Sequence, residues 1–107
     1  MSGSLGDMGN LLKQAQQMQR QLDRVRGELK ETILVGSGGG GSVSLRINGD
    51  CEVQALEIAD ELISAGDRAA IEESVLEALR DGIAQSSALR RERMSEITGG
   101  LNLPGMF

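Results

Sequence analysis

Along the first third of the chain, apolar residues recur at Met8, Leu11, Ala15, Met18, Leu22, Val25 and Leu29, in alternating steps of three and four. That spacing is a heptad seam and predicts one long helix over residues 5–31. At ~1.5 Å per residue, three heptads make a rod of roughly 35 Å. A chain of 107 residues has the size of one domain and only a small core to offer. One small sheet does not cover such a rod, so part of the helix must project or find a partner. The seam packs against a second helix of the same chain, pairs between chains, or does both. The opposite face carries Gln14, Gln16, Gln17, Gln19 and Gln21 beside basic residues and is solvated or meets a polar partner.

Beyond Glu31 the pattern changes. Thr32-Ile33-Leu34-Val35 is rich in β-branched residues and too short for a helix, so it reads as a first strand, and the run Gly36-Ser37-Gly38-Gly39-Gly40-Gly41-Ser42 reads as a flexible connection. Val43, Leu45 and Ile47 alternate with Ser44 and Arg46, which gives a second strand one buried face. Asn48-Gly49 is a strong hairpin signal, because both central residues of a type I′ turn need positive φ. A third strand runs from Cys51 to Ile58. Its apolar residues change parity, with Cys51, Val53 and Ala55 on one phase and Leu56 and Ile58 on the other, which predicts a bulge or a sheet covered on both faces. The sheet, over residues 32–58, is an antiparallel meander.

Residues 60–63 form a short helical turn or extended linker, and Asp67 is placed to cap a second long helix over residues 67–98. Ile71, Val75, Ala78, Leu79 and Ile83 form its apolar stripe, with Glu72, Glu73 and Glu77 outside. Beyond Ala84 the stripe fades into Ser86, Ser87 and Arg90, where the helix is expected to leave the core. Gly99-Gly100 ends it, and residues 99–107 read as an extended or disordered tail. The fold class is therefore α+β, a single domain over residues 1–107 with two long terminal helices around a three-stranded sheet.

The residue types that are absent narrow the function. The chain has no His, Trp or Tyr and one Cys. Without His the commonest general base and metal ligand is missing, and Cys51 alone makes neither a disulfide nor a paired-cysteine zinc site. The glycine run lacks the Lys and hydroxyl residue that open a phosphate-binding helix. The acidic residues lack calcium-loop spacing and read as a solvated surface. No enzyme, cofactor, metal site or small-molecule substrate is expected. A single thiol, no signal segment and no apolar run near ~20 residues point to the cytoplasm and away from a membrane.

The net charge of −5 argues against a polyanion ligand only if it is spread evenly, and it is not. Ten acidic residues between Asp50 and Asp81 stand against only Arg68 and Arg80. The first thirty residues hold Lys13, Arg20, Arg24, Arg26 and Lys30 against Asp7, Asp23 and Glu28, and Arg90-Arg91-Glu92-Arg93 stands near the other end. Lys13, Arg20 and Arg24 are spaced by seven and four, along one side of the first helix. Arg90 and Arg93 share a side of the last, with Arg91 about 100° round.

The segment GNLLKQAQQMQ at residues 9–19 closely resembles the opening helix of the YbaB/EbfC family of bacterial nucleoid-associated proteins. Ile47-Asn48-Gly49 with Val53 and Leu56-Glu57-Ile58 is similar to the family's central hairpin, and Met94, Gly99, Leu103, Pro104 and Gly105 look like its closing segment. The chain departs from that pattern in Arg-Arg-Glu-Arg at residues 90–93, where relatives tend towards Lys and Gln, and in Gly82, within a usually Ala-rich stretch. The resemblance implies an α-β-β-β-α protomer, a tweezer-like homodimer, a cytoplasmic and nucleoid location, and binding of double-stranded DNA with little sequence preference. On that reading Lys13, Arg20, Arg24, Arg90, Arg91 and Arg93 are the candidate phosphate contacts. The rival reading is an acidic dimeric adaptor or secretion-type chaperone for a protein client, which requires exposed apolar grooves.

Overall fold

The computed structural model describes residues 2–99: α1 (Ser2–Glu31), β1 (Ile33–Gly38), β2 (Val43–Asn48), β3 (Val53–Ile58), a short α2 (Asp60–Ser64) and α3 (Arg68–Gly99). The expected tail beyond Gly99 lies outside the described residues. The three strands form one antiparallel sheet in the order β1-β2-β3, so the expected meander between two long helices is present. Asp67 caps α3 as its position predicts, its Oδ1 accepting from the Ala70 amide at 3.2 Å.

The core lies under β2. Val43, Leu45 and Ile47 are fully buried and cluster with Ala78 of α3. Their cross-strand neighbours are Gly38, Gly36 and Leu34 on β1 and Ile58, Leu56 and Val53 on β3. The parity change in β3 is a bulge. Arg46 pairs with Ala55 but Ile47 with Val53, so Gln54 is the extra residue, and Val53 and Leu56 come to the same side of the sheet.

The glycine run is not a flexible connection. Gly36, Ser37 and Gly38 continue β1, paired with Leu45, Ser44 and Val43, and only Gly39–Gly41 turn, at φ of 60°, 67° and 100°. The reason is the distance to α3, whose buried residues are Ser74, Ala78, Gly82 and Ser86, one every fourth position. A Cβ on Gly38 would lie 2.0 Å from the Ser74 carbonyl oxygen, and one on Gly36 would lie 2.4 Å from that of Ala78. Strand backbone and helix backbone touch because neither side has side chains in the way. Of the predicted stripe, Ala78 lies in this contact and is fully buried, Ile71, Val75 and Leu79 flank it half-buried, and Ile83 is exposed. Gly82 sits directly over Leu45 and Ile47, 2.7 and 3.2 Å from where its Cβ would be.

The Asn48-Gly49 signal locates the hairpin but not its turn. The left-handed residue is Cys51, at φ 64°, in a three-residue loop closed by Cys51 N donating to Asn48 O at 3.2 Å and Asn48 N donating to Glu52 O at 3.1 Å. Asn48 Oδ1 accepts from the Asp50 and Glu52 amides at 3.0 and 2.9 Å. Gly49 is required by proximity: its amide donates to Leu29 O at 2.8 Å, and a Cβ would meet that same oxygen at 2.8 Å. Nor does α3 leave the core after Ala84. Ser86 is 1% exposed, its hydroxyl donating to Asn48 O at 2.9 Å and accepting from Cys51 N at 3.0 Å.

The last turns of α1 pack on this assembly through Val25 and Leu29, the latter 1% exposed, whereas Met8 is 67% exposed. The seam is therefore covered within the chain only at its end. The radius of gyration is 21.1 Å and the extents are 77 × 25 × 15 Å, against ~13 Å for a compact chain near 100 residues. The first half of α1 projects.

Candidate nucleic-acid interface

α1 turns Val25 and Leu29 inward and leaves its other faces to solvent. Lys13, Arg20 and Arg24 are all exposed along about 16 Å of helix. Among the described residues Lys13 and Arg20 have no ion-pair partner, while Arg24 Nε lies 3.9 Å from Glu28 Oε1.

On α3, Ser87, Arg90, Arg91 and Met94 line a shallow groove of about 380 Å³. Their i, i+3, i+4, i+7 spacing makes this one helix face. Arg91 is exposed without an ion-pair partner among the described residues. Arg90 Nη2 lies 3.9 Å from Asp50 Oδ1 in the hairpin turn. Arg93 points instead to α1, where its guanidinium pairs with the Glu28 carboxylate, and its Nε lies 3.7 Å from Glu96. The Glu28 hydrogen bond, helped by the charges of Glu28, Glu96 and Glu92, holds the Arg93 pKa above its ordinary value. Arg93 thus ties the two long helices together.

Two acidic residues have a role beyond a solvated face. Glu77 Oε2 accepts from the Gly39 amide and Asp81 Oδ2 from the Ser37 amide, both at 2.9 Å, and Gln85 Nε2 donates to Val35 O at 2.8 Å. Residues 35, 37 and 39 present their backbone groups away from β2, so these three side chains occupy the open edge of β1. Their four-residue spacing beside the small-residue row was the signal in the sequence.

Large apolar residues stay uncovered. α3 lies over β1 and β2, leaving Val53 and Leu56 of β3 exposed on the helix side, with Leu76 and Ile83 of α3 also exposed. Met8, Leu11 and Leu12 are exposed along α1. Among the described residues no three His, Cys, Asp or Glu side chains converge as a metal site, and no helix is long and apolar enough to cross a membrane.

A family model described as the YbaB/EbfC DNA-binding family matches residues 5–101. A nucleoid-associated protein of Clostridium novyi is 36% identical over 107 residues, covering 100% of this chain and 93% of the relative. One of Chloroflexus aurantiacus is 39% identical over 97 residues, covering 91% and 95%. The crystal structure of an uncharacterized Helicobacter pylori protein superposes with a TM-score of 0.67 at 30% identity, covering 79% of this chain and 86% of that one.

Proposed function

The chain belongs to the YbaB/EbfC DNA-binding family, and on that premise we propose that it is a nucleoid protein that grips duplex DNA, with little sequence preference, between the basic helical arms of a homodimer. The observation that carries this reading is the placement of cations on α1 and on the second half of α3, outside the acidic stretch of sequence between Asp50 and Asp81. Lys13, Arg20 and Arg24 line α1, Arg90 and Arg91 flank the α3 groove, and Arg93 stands where the helices meet.

Lys and Arg contacts to phosphate draw their free energy largely from counterion release, which ties affinity to salt. With Phe107 the only aromatic residue, base stacking contributes little, and sequence readout is weak. One protomer offers about three to six such contacts, and a second arm acting at high effective concentration converts two weak grips into one useful one. The uncovered Val53, Leu56 and Ile83 support self-association, because exposed apolar surface of this kind marks contact sites. The cytoplasmic, nucleoid location follows from the same reading.

The test is a gel-shift titration on unrelated duplexes across salt, repeated with Arg90, Arg91 and Arg93 changed to Glu. Binding at low salt that the triple variant loses is expected. Absent binding, or binding unchanged in the triple variant, overturns the arm assignment. An acidic adaptor for protein clients would use the exposed Met8, Leu11 and Leu12, and a dimer that ignores DNA would favour it.

A further inference from the structure

Glu28 sits between two of the candidate phosphate contacts. Its Oε1 faces Arg24 Nε at 3.9 Å on the same helix, and its Oε2 accepts from Arg93 Nη2 on α3. Asp50, on the hairpin loop, does the same for Arg90, at 3.9 Å. Three of the six cations therefore meet a carboxylate of their own chain, and both carboxylates are partly open to solvent. A carboxylate against a guanidinium offers the charge and acceptor geometry that a phosphate oxygen would.

We propose that Glu28 and Asp50 set the affinity of the DNA surface, acting as internal stand-ins for phosphate against Arg24, Arg93 and Arg90. The inference rests on the DNA-binding reading above. Exposed ion pairs are weak, so the carboxylates give way to a polyanion, but each displacement lowers the net affinity. A duplex carries about one charge per 1.7 Å of axis, and several phosphates meet these arginines together. Glu28 and Asp50 thus restrain duplex binding at each arginine they hold, and removing them lifts that restraint.

The experiment measures duplex affinity and its salt dependence for the full-length protein, Glu28→Gln, Asp50→Asn and the double variant. The control is Glu31→Gln, an exposed carboxylate at the end of α1 with no ion-pair partner among the described residues. Each test variant is expected to tighten binding about two- to fivefold. The slope of log affinity against log salt steepens by up to about 0.9 for each arginine released to phosphate. Glu31→Gln changes affinity by less than about 1.5-fold at 0.1 M salt, where distant charges are screened.

Wild-type binding together with test variants no tighter than Glu31→Gln overturns the inference and leaves the DNA reading standing. No duplex binding by any of these proteins at low salt overturns both. Thermal melts accompany the titration, because Glu28 also joins α1 to α3. If Glu28→Gln loses its fold, Asp50→Asn decides alone, since the hydrogen bond that Asp50 gives the loop comes from its backbone amide and is kept.

Discussion

Changing Gly38 to Ala tests the closest contact in the fold. Gly38 has φ −144° and ψ 164°, a conformation any residue adopts, so no backbone strain enters and the cost in the folded state is steric. The added Cβ would lie 2.0 Å from Ser74 O, 2.7 Å from Ala78 N and 3.0 Å from Glu77 Cβ. The two nearest are backbone atoms of α3 and cannot swing aside. Real contacts at a Cβ essentially never fall below 3.0 Å, so strand and helix must part by about 1 Å, and a gap of that size forfeits a quarter to a half of each dispersion well it opens. Overpacking costs about 1–3 kcal/mol, and this site belongs at the upper end. Alanine returns about 0.4–1 kcal/mol by restricting the unfolded chain. The net loss is about 2–3 kcal/mol, or about 8–24 °C in Tm for a domain of this size.

Gly27→Ala is the matched control, because its Cβ meets nothing within 4 Å in the last turns of α1, and it should stabilise by up to about 1 kcal/mol. Urea denaturation at one fixed protein concentration reads both variants, since association would otherwise shift the midpoints. A Gly38→Ala protein as stable as wild type would refute the close packing of β1 on α3.

Ser86→Ala removes the donor to Asn48 O and the acceptor for Cys51 N at a buried site, and urea midpoints should fall by about 1–3 kcal/mol. Cys51→Val puts a β-branched residue at φ 64° and should cost about 1–2 kcal/mol in the same assay, whereas Cys51→Asn, which tolerates that region, should cost less. Replacing Glu77, Asp81 and Gln85 together with Ala frees the edge of β1, and light scattering should show concentration-dependent aggregation that wild type lacks.

The sequence made the elements legible wherever a side-chain pattern marks them. The α1 seam, the alternation of Val43, Leu45 and Ile47, the parity change in β3 and the Asp67 cap each carry their structure in residue type and spacing. What escaped depends on small residues. Gly36 and Gly38 look like loop because glycine carries no pattern of its own; their meaning appears only beside the matching row Ser74, Ala78, Gly82 and Ser86. Ser86 read as the end of the buried stripe because a hydroxyl is polar, yet two backbone partners satisfy it. At the candidate interface the cationic residue types were legible from charge alone. Their engagement was not, because Glu28 with Arg93 and Asp50 with Arg90 are paired by tertiary packing across 65 and 40 positions of sequence.

The most direct measurement is the dissociation constant for two unrelated duplexes of equal length across a range of salt concentrations. Electrostatic gripping by two sets of arms predicts equal affinities for both and a log–log slope of about −5 or steeper, from about six or more phosphate contacts per dimer. A flat salt dependence, or strong preference for one duplex, would contradict a mechanism built on arginine and lysine contacts to phosphate.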